Sequence, residues 1–420
     1  MLAPKLLPDR VRLLVIGGGI HGAGILHDLA TRGWRDVLLV EKGNIGEGTS
    51  SRSTKLIHGG LRYLQHLRDF GLVREGLHER RLLMELASDL VKPVELLFPI
   101  LRKGGMNGFM VRSGLILYDK LAGEDNIADH KKISIDEAIE KVPLLDGDKV
   151  KKVYSFWDGQ TDDLRLTRRV VSSAIKLGAS VVEGCKVLSI SPDSDGWMVK
   201  VLTPDRKEKN ISALHVINAA GPWANRVLEA SQINPIYKGI NIKGSHIMLD
   251  DIGLKAGLFL QAPDDGRIFF LLPWEKKTLI GTTESLYSGD QDQMTVTDEE
   301  INYLLSHSNF YLKTDLKKED IVAKFSGLRW LALDPGRNIH ATTRSYMIGE
   351  HKSGRGLLLT LYGGKLTAYR KLSELVGDII LRNYGEEIHS QTSMSKSWVT
   401  SSEEHEYFPP ESSIEKRFVY

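Results

Sequence analysis

A short apolar run, Val11 to Ile16, leads directly into Gly17-Gly18-Gly19-Ile20-His21-Gly22, and this junction constrains the fold more than any other feature of the chain. The run is rich in β-branched residues and reads as strand, tight turn, helix. Gly17 permits the turn, Gly19 lets the backbone approach a pyrophosphate, and Gly22 lets the following helix pack closely on the strand. The helix, expected to start at Gly22, offers unpaired N–H groups to the phosphates at its N-terminus. Val37 to Val40 supplies a second strand, and Glu41 at its end can accept hydrogen bonds from ribose hydroxyls. Strand, glycines, helix, strand and acid in this order predict a dinucleotide-binding α/β unit, without choosing between a nicotinamide and a flavin.

Composition narrows the remaining classes. The 56 Lys and Arg against 54 Asp and Glu leave a formal charge of +2, which gives no reason to expect a nucleic acid partner. The single cysteine, Cys185, excludes an intrachain disulfide and any Cys-rich zinc or iron-sulfur site, so redox chemistry requires an organic cofactor. No metal is expected. The chain of 420 residues suffices for two connected domains. No stretch approaches the roughly 20 apolar residues of a spanning helix, and the first ten residues lack the apolar core of a signal peptide. Met106 to Leu121 places Phe109, Met110, Leu115, Ile116, Leu117 and Tyr118 among Arg102, Lys103, Arg112 and Lys120. Two readings of it stand: a packed core or interdomain helix, and a segment that rests on a membrane surface.

Beyond Glu41, the segment Gly46-Glu47-Gly48-Thr49-Ser50-Ser51-Arg52-Ser53-Thr54-Lys55-Leu56-Ile57-His58-Gly59-Gly60-Leu61-Arg62-Tyr63-Leu64 closely resembles the one that follows the glycine turn in FAD-dependent glycerol-3-phosphate dehydrogenases, within the D-amino-acid oxidase-like flavoprotein superfamily. Further similar stretches follow in the family's order. They are Trp157-Asp158-Gly159, Asn218-Ala219-Ala220-Gly221-Pro222-Trp223, Lys243-Gly244-Ser245-His246, Ile280-Gly281-Thr282-Thr283, Ser326-Gly327-Leu328-Arg329, Thr343-Arg344 and Gly363-Gly364-Lys365-Leu366-Thr367. The resemblance runs from about residue 11 to 387. It departs at Arg329-Trp330-Leu331, where the family has proline in the middle position, a change expected to reshape a loop carrying Arg329.

The resemblance implies a Rossmann-like FAD-binding domain with a parallel sheet, formed by 11–90, 150–225 and 335–388. An antiparallel-sheet substrate domain would comprise 91–149 and 226–334. The family's helical C-terminal domain is not apparent, and the Ser-, Thr- and Glu-rich residues 389–420 read as a partly disordered tail. FAD contacts are implied for Gly17, Gly19, Ile20, Gly22, Glu41, Lys42, Thr49, Ser50, Ser53, Lys55, Leu56, His58, Ala220, Gly221, Gly364, Lys365, Leu366 and Thr367, with Val187 facing the adenine. The Gly363–Thr367 turn reads as the opening of a helix whose positive end, with Lys365, faces the flavin edge that gains negative charge on reduction. Arg329 and Arg344, with Arg62 and Tyr63, are expected to bind the substrate phosphate. His246 is the candidate to accept the hydroxyl proton. His58 is expected beside the cofactor.

The activity so implied is oxidation of sn-glycerol 3-phosphate to dihydroxyacetone phosphate by hydride transfer to FAD, with a quinone as final acceptor. An oxidase using oxygen, an amine or amino-acid oxidase, and a flavin-bound sensor or scaffold are the alternatives. The implied location is the cytoplasmic face of a membrane, as a peripheral protein, and a homodimer is compatible with it.

Overall fold

The computed structural model describes residues 7–61, 64, 70–333, 346–409 and 418. The N-terminal strand Arg10–Ile16 lies in the middle of a parallel sheet, paired with Val37–Val40 on one side and Glu208–Asn218 on the other. Ser180–Val182 extends the sheet beyond Val37–Val40, and Gly356–Tyr362 extends it beyond Glu208–Asn218, both parallel. Val37–Val40 and Gly356–Tyr362 are buried at every residue, as strands covered on both faces must be. Alternation along Leu13 to Ile16 sends Leu13 and Val15 to one core and Leu14 and Ile16 to the other. Helices Ile20–Thr31, Asp163–Lys176 and Tyr369–Arg382 cover the first face. The antiparallel strands Lys186–Asp193 and Gly196–Leu202 pack over the second.

A second sheet is built on Gly239–Asp250, which pairs antiparallel with Ile321–Ala332 on one side and with Lys277–Gly281 and Ser285–Tyr287 on the other. The sheet continues through Ile268–Trp274 and Gly257–Gln261 to Val91–Leu101 and Val150–Thr161. The antiparallel character expected for residues 243–283 is present. The boundary expected at residue 150 is displaced, because Val150–Thr161 pairs along Val91–Leu101 in the second sheet and the chain re-enters the first unit only at helix Asp163–Lys176. Leu56–Ile57, expected in the first unit, also joins the edge of the second sheet. Short apolar strands carry no mark of which sheet they will enter, and long-range pairing decides it.

Helix Gly108–Ala122 has the buried face of the packed-helix reading, with Val111, Leu115, Tyr118 and Ala122 inward at helical spacing, while Phe109 and Met110 are 80% and 56% exposed. Trp330 does not reshape a loop. It lies within strand Ile321–Ala332 opposite Asn241, and its ring packs on Tyr362 with centroids 4.8 Å apart.

The polar end of the chain, expected to be partly disordered, is packed over residues 389–409. Trp398, Val399 and Phe408 are buried, and Trp398 Nε1 donates to the Thr392 carbonyl at 2.8 Å. Thr400 caps helix Ser401–Tyr407, which brings Glu404 to within 2.8 Å of Arg169 Nε, both side chains 2% exposed. Buried arginines give these polar residues partners, which composition does not reveal. Glu404→Ala leaves the Arg169 guanidinium with the half-exposed Asp89 as its remaining carboxylate, beside the Ser401 hydroxyl, and is expected to cost about 3 kcal/mol in denaturant unfolding, whereas an exposed pair would contribute less than about 1 kcal/mol.

A candidate flavin and substrate site

The two sheets enclose a cavity of about 1470 Å³, above the ~300–1,000 Å³ of ordinary small-molecule sites and suited to a dinucleotide with a substrate beside it. Gly17 opens it with φ +104°, a left-handed conformation that a side chain would strain. A Cβ on Gly22 would stand 1.9 Å from the Gly17 carbonyl oxygen, so only glycine allows helix Ile20–Thr31 to start against the turn. That helix begins at Ile20, two residues before the expected start. Its Ile20 N–H donates to Ser50 Oγ at 2.8 Å, which ties the resembling 46–64 segment to the glycine turn.

Glu41 ends its strand as expected, and its two carboxylate oxygens accept the Gly18 and Gly43 N–H groups at 2.7 and 2.8 Å. Each oxygen keeps a second lone pair for a ribose hydroxyl. Lys42 lines the cavity, with its ammonium paired to Asp292 and 4.7 Å from the Trp223 ring centroid. Thr49 donates to the Leu328 carbonyl at 2.9 Å, and the His58 N–H donates to Thr367 Oγ1 at 3.1 Å. Gly19, Ser53, Leu56, Val187, Ala220, Gly221, Gly364, Lys365 and Leu366 line the same cavity.

Gly22 and Lys55 do not line it. Gly22 acts from behind the turn. Lys55 is wholly buried, with its ammonium 2.7 Å from Asp163 Oδ1 and 2.6 Å from the Ser51 carbonyl, facing the Trp274, Phe325 and Phe418 rings. Burial raises the Asp163 carboxyl pKa and the Lys55 charge opposes that shift. Ser53 Oγ also donates to Asp163, at 2.6 Å. Asp163 therefore anchors the loop from behind, a role that the sequence motif does not separate from cofactor contact.

His246, Arg329 and the Gly363–Thr367 turn also line the cavity. The turn is left-handed at Gly363 and Gly364, and its helix starts only at Tyr369, later than expected, so Lys365 sits in the preceding loop. The His246 ring stacks on Phe325 at 4.8 Å, with Nε2 3.0 Å from Thr54 Oγ1. Its Nδ1 is buried without a hydrogen-bond partner among the described residues. Burial, then the Lys55 and Arg329 charges, lower its pKa to about 3, so the imidazole is neutral near pH 7. When Nε2–H donates to Thr54, Nδ1 presents a lone pair. Arg62, Tyr63 and Arg344 lie outside the described residues.

Three residues went unremarked in the sequence. His21 lines the cavity against Gly364, and burial lowers its pKa to about 4 although it hydrogen-bonds the Lys365 backbone. Arg267 donates to the Glu284 carbonyl at 2.6 Å, and Glu284 contacts Arg329 at 3.2 Å. Glu284 directly follows the Ile280–Thr283 motif, and that adjacency was the available signal.

Residues 12–370 match the family model described as FAD dependent oxidoreductase. The chain is 36% identical over 370 residues to D-erythritol 1-phosphate dehydrogenase of Brucella abortus, covering 87% of this chain and 73% of the relative. It is 35% identical over 366 residues to aerobic glycerol-3-phosphate dehydrogenase of Escherichia coli K12, covering 86% and 72%. The structure of glycerol-3-phosphate dehydrogenase from Bacillus halodurans complexed with FAD superposes with a TM-score of 0.73 at 28% identity, over 92% of this chain and 67% of that one.

FAD fits the residues present: a side-chain-free approach at the first turn, Glu41 at the end of the second strand, and a buried His21 Nε2 without a partner among the described residues. Gly22→Ala forces the helix off the turn and is expected to yield folded protein without bound flavin, read as loss of the visible flavin absorbance after purification. The match along residues 12–370, laid over a cavity whose first wall is the glycine turn, makes this chain a member of the FAD-dependent oxidoreductase family.

Proposed function

We propose that this flavoprotein oxidises sn-glycerol 3-phosphate to dihydroxyacetone phosphate. The observation that carries the reading is that Arg329, His246 and the Gly363–Thr367 turn line one cavity, with Arg329 near enough for its charge to act on His246, which offers an anion-binding guanidinium and a hydrogen-bond acceptor together. FAD supplies the hydride acceptor when bound. Arg329 holds the phosphate through paired N–H groups, and Arg62, Tyr63 and Arg344 are assigned to the same anion from the sequence. His246 accepts the hydrogen bond of the reacting hydroxyl at Nδ1 and orients it. With a pKa near 3 it is a weak base, and it serves better as an orienting acceptor than as a store for the proton. Lys365 places positive charge beside the Gly363–Thr367 turn. The names of the relatives support a polyol phosphate as substrate, and the 36% identity to an erythritol phosphate enzyme favours D-erythritol 1-phosphate as the second reading.

Anaerobic addition of sn-glycerol 3-phosphate is expected to bleach the flavin. Arg329→Ala should raise the concentration required by roughly 10- to 100-fold, the value of a charge-assisted contact. Bleaching by D-erythritol 1-phosphate alone would transfer the assignment to the second reading, and bleaching by neither would remove the function.

We assign the electrons to a membrane quinone, with the protein bound peripherally to an anionic cytoplasmic leaflet. Among the described residues no helix is long and apolar enough to cross a membrane. The support is helix Gly108–Ala122, whose exposed Phe109 and Met110 stand among the exposed Arg102, Lys103, Arg112 and Lys120, an apolar tip ringed by cations. Phe109→Glu with Met110→Glu is expected to weaken binding to anionic lipid vesicles about tenfold or more. Equal co-sedimentation of variant and parent would exclude this surface. Peroxide formation without quinone reduction would assign the electrons to oxygen.

A further inference from the structure

The wall that carries Arg329 also carries a carboxylate which the proposed function leaves without a role. Strand Gly239–Asp250 lies between Ser285–Tyr287 and Ile321–Ala332, so that Ile242 faces Leu286 on one side and Arg329 on the other. Glu284, one residue before Ser285, reaches across the central strand to Arg329, with Oε1 3.2 Å from Nη2. The Arg329 guanidinium lies close over Gly244, since a Cβ there would stand 3.6 Å from Nη2, and 2.5 Å from Thr282 Oγ1. The Glu284 side chain is 12% exposed and that of Arg329 is 39% exposed. Both line the cavity, as does Arg267, whose Nη1 fixes the Glu284 carbonyl.

A carboxylate in contact with a guanidinium uses donor capacity that a bidentate phosphate would take, and it repels a second anion at the same place. We propose that Glu284 is an internal anion that holds Arg329 in the substrate-free protein and competes with the incoming anion for it. The inference rests on the assignment of Arg329 to the substrate phosphate. It makes Glu284 a specificity residue. A free carboxylate carries one charge and does not displace a tethered carboxylate already in place, whereas a phosphate near its dianionic form does. The cavity is thereby closed to carboxylic acids, which arginine would otherwise accept, and opened to phosphate esters. Arg329 is also held in position for the substrate without an external ligand.

The test uses the FAD-loaded protein, with inorganic phosphate and acetate as probes and the shift of the flavin absorbance bands as readout. Glu284→Gln keeps the shape and removes the charge, so phosphate is expected to bind about tenfold more tightly. Acetate at millimolar concentration, silent in the parent, is expected to perturb the flavin. Glu284→Asp withdraws the carboxylate by one methylene and should tighten phosphate by about threefold, which keeps the proposal testable if the glutamine variant loses FAD. Unchanged or weaker phosphate binding in the variants overturns the inference. Bleaching by sn-glycerol 3-phosphate in the parent tests the underlying assignment separately: bleaching with unaltered phosphate affinity in the variants removes the role of Glu284 alone, and no bleaching by either polyol phosphate removes the assignment beneath it.

Discussion

The close approach of Gly22 to the Gly17 carbonyl is the constraint on which the rest of the architecture depends. It sets the start of helix Ile20–Thr31 directly against the end of strand Arg10–Ile16, and so fixes where the helix N-terminus points. Ser50 binds that terminus through the Ile20 N–H, and Glu41 binds the turn through Gly18. The loop that follows Glu41 is therefore fastened to the turn at both ends. Its far side is held by the buried Asp163, which accepts from Ser53 and pairs with Lys55 at the junction between the two sheets. Removing one partner of such a pair leaves an uncompensated charge in a dry interior, so the junction is held rigidly although the pair itself adds little net stability.

Electrostatics divide the cavity into two ends. At the first turn the exposed features are backbone N–H groups and a carboxylate, suited to phosphates and ribose. At the far wall the Arg329 cation stands close to a neutral imidazole, and the same positive charges that attract an anion keep His246 unprotonated. A protonated imidazole there would add to the crowding of positive charge, and burial alone already disfavours it. The wall thus carries an ion pair where Arg329 meets Glu284 and an uncharged ring where His246 stacks on Phe325. That arrangement separates anion binding from hydroxyl recognition over a short distance.

How much of this could be read before the structure depended on the range of the interactions. The glycine turn, its two strands and Glu41 are local in sequence and were readable from residue type and spacing. The antiparallel run within 243–283 was legible for the same reason. Strand Val150–Thr161 was assigned to the wrong unit because its partner Val91–Leu101 lies half a hundred residues upstream, and an apolar alternation fits either sheet. The 389–409 segment was misread because its polar residues are satisfied by Arg169 and Arg370 of the first unit, and polarity alone predicts solvent. Lys55 was placed at the cofactor by its position in a motif, whereas its ammonium turns inward to Asp163.

The sequence by itself determined the dinucleotide-binding turn and its α/β unit, because those follow from glycine conformations, short-range periodicity and spacing, while the choice of a flavin and of the residues around it rested on resemblance to a family. Only the tertiary structure decided which charges meet. Arg329 and Glu284 are separated by 45 positions, and Arg169 and Glu404 by 235. The field at each depends on a partner that strand register and packing bring to hydrogen-bond distance, and no local pattern of residues encodes that distance.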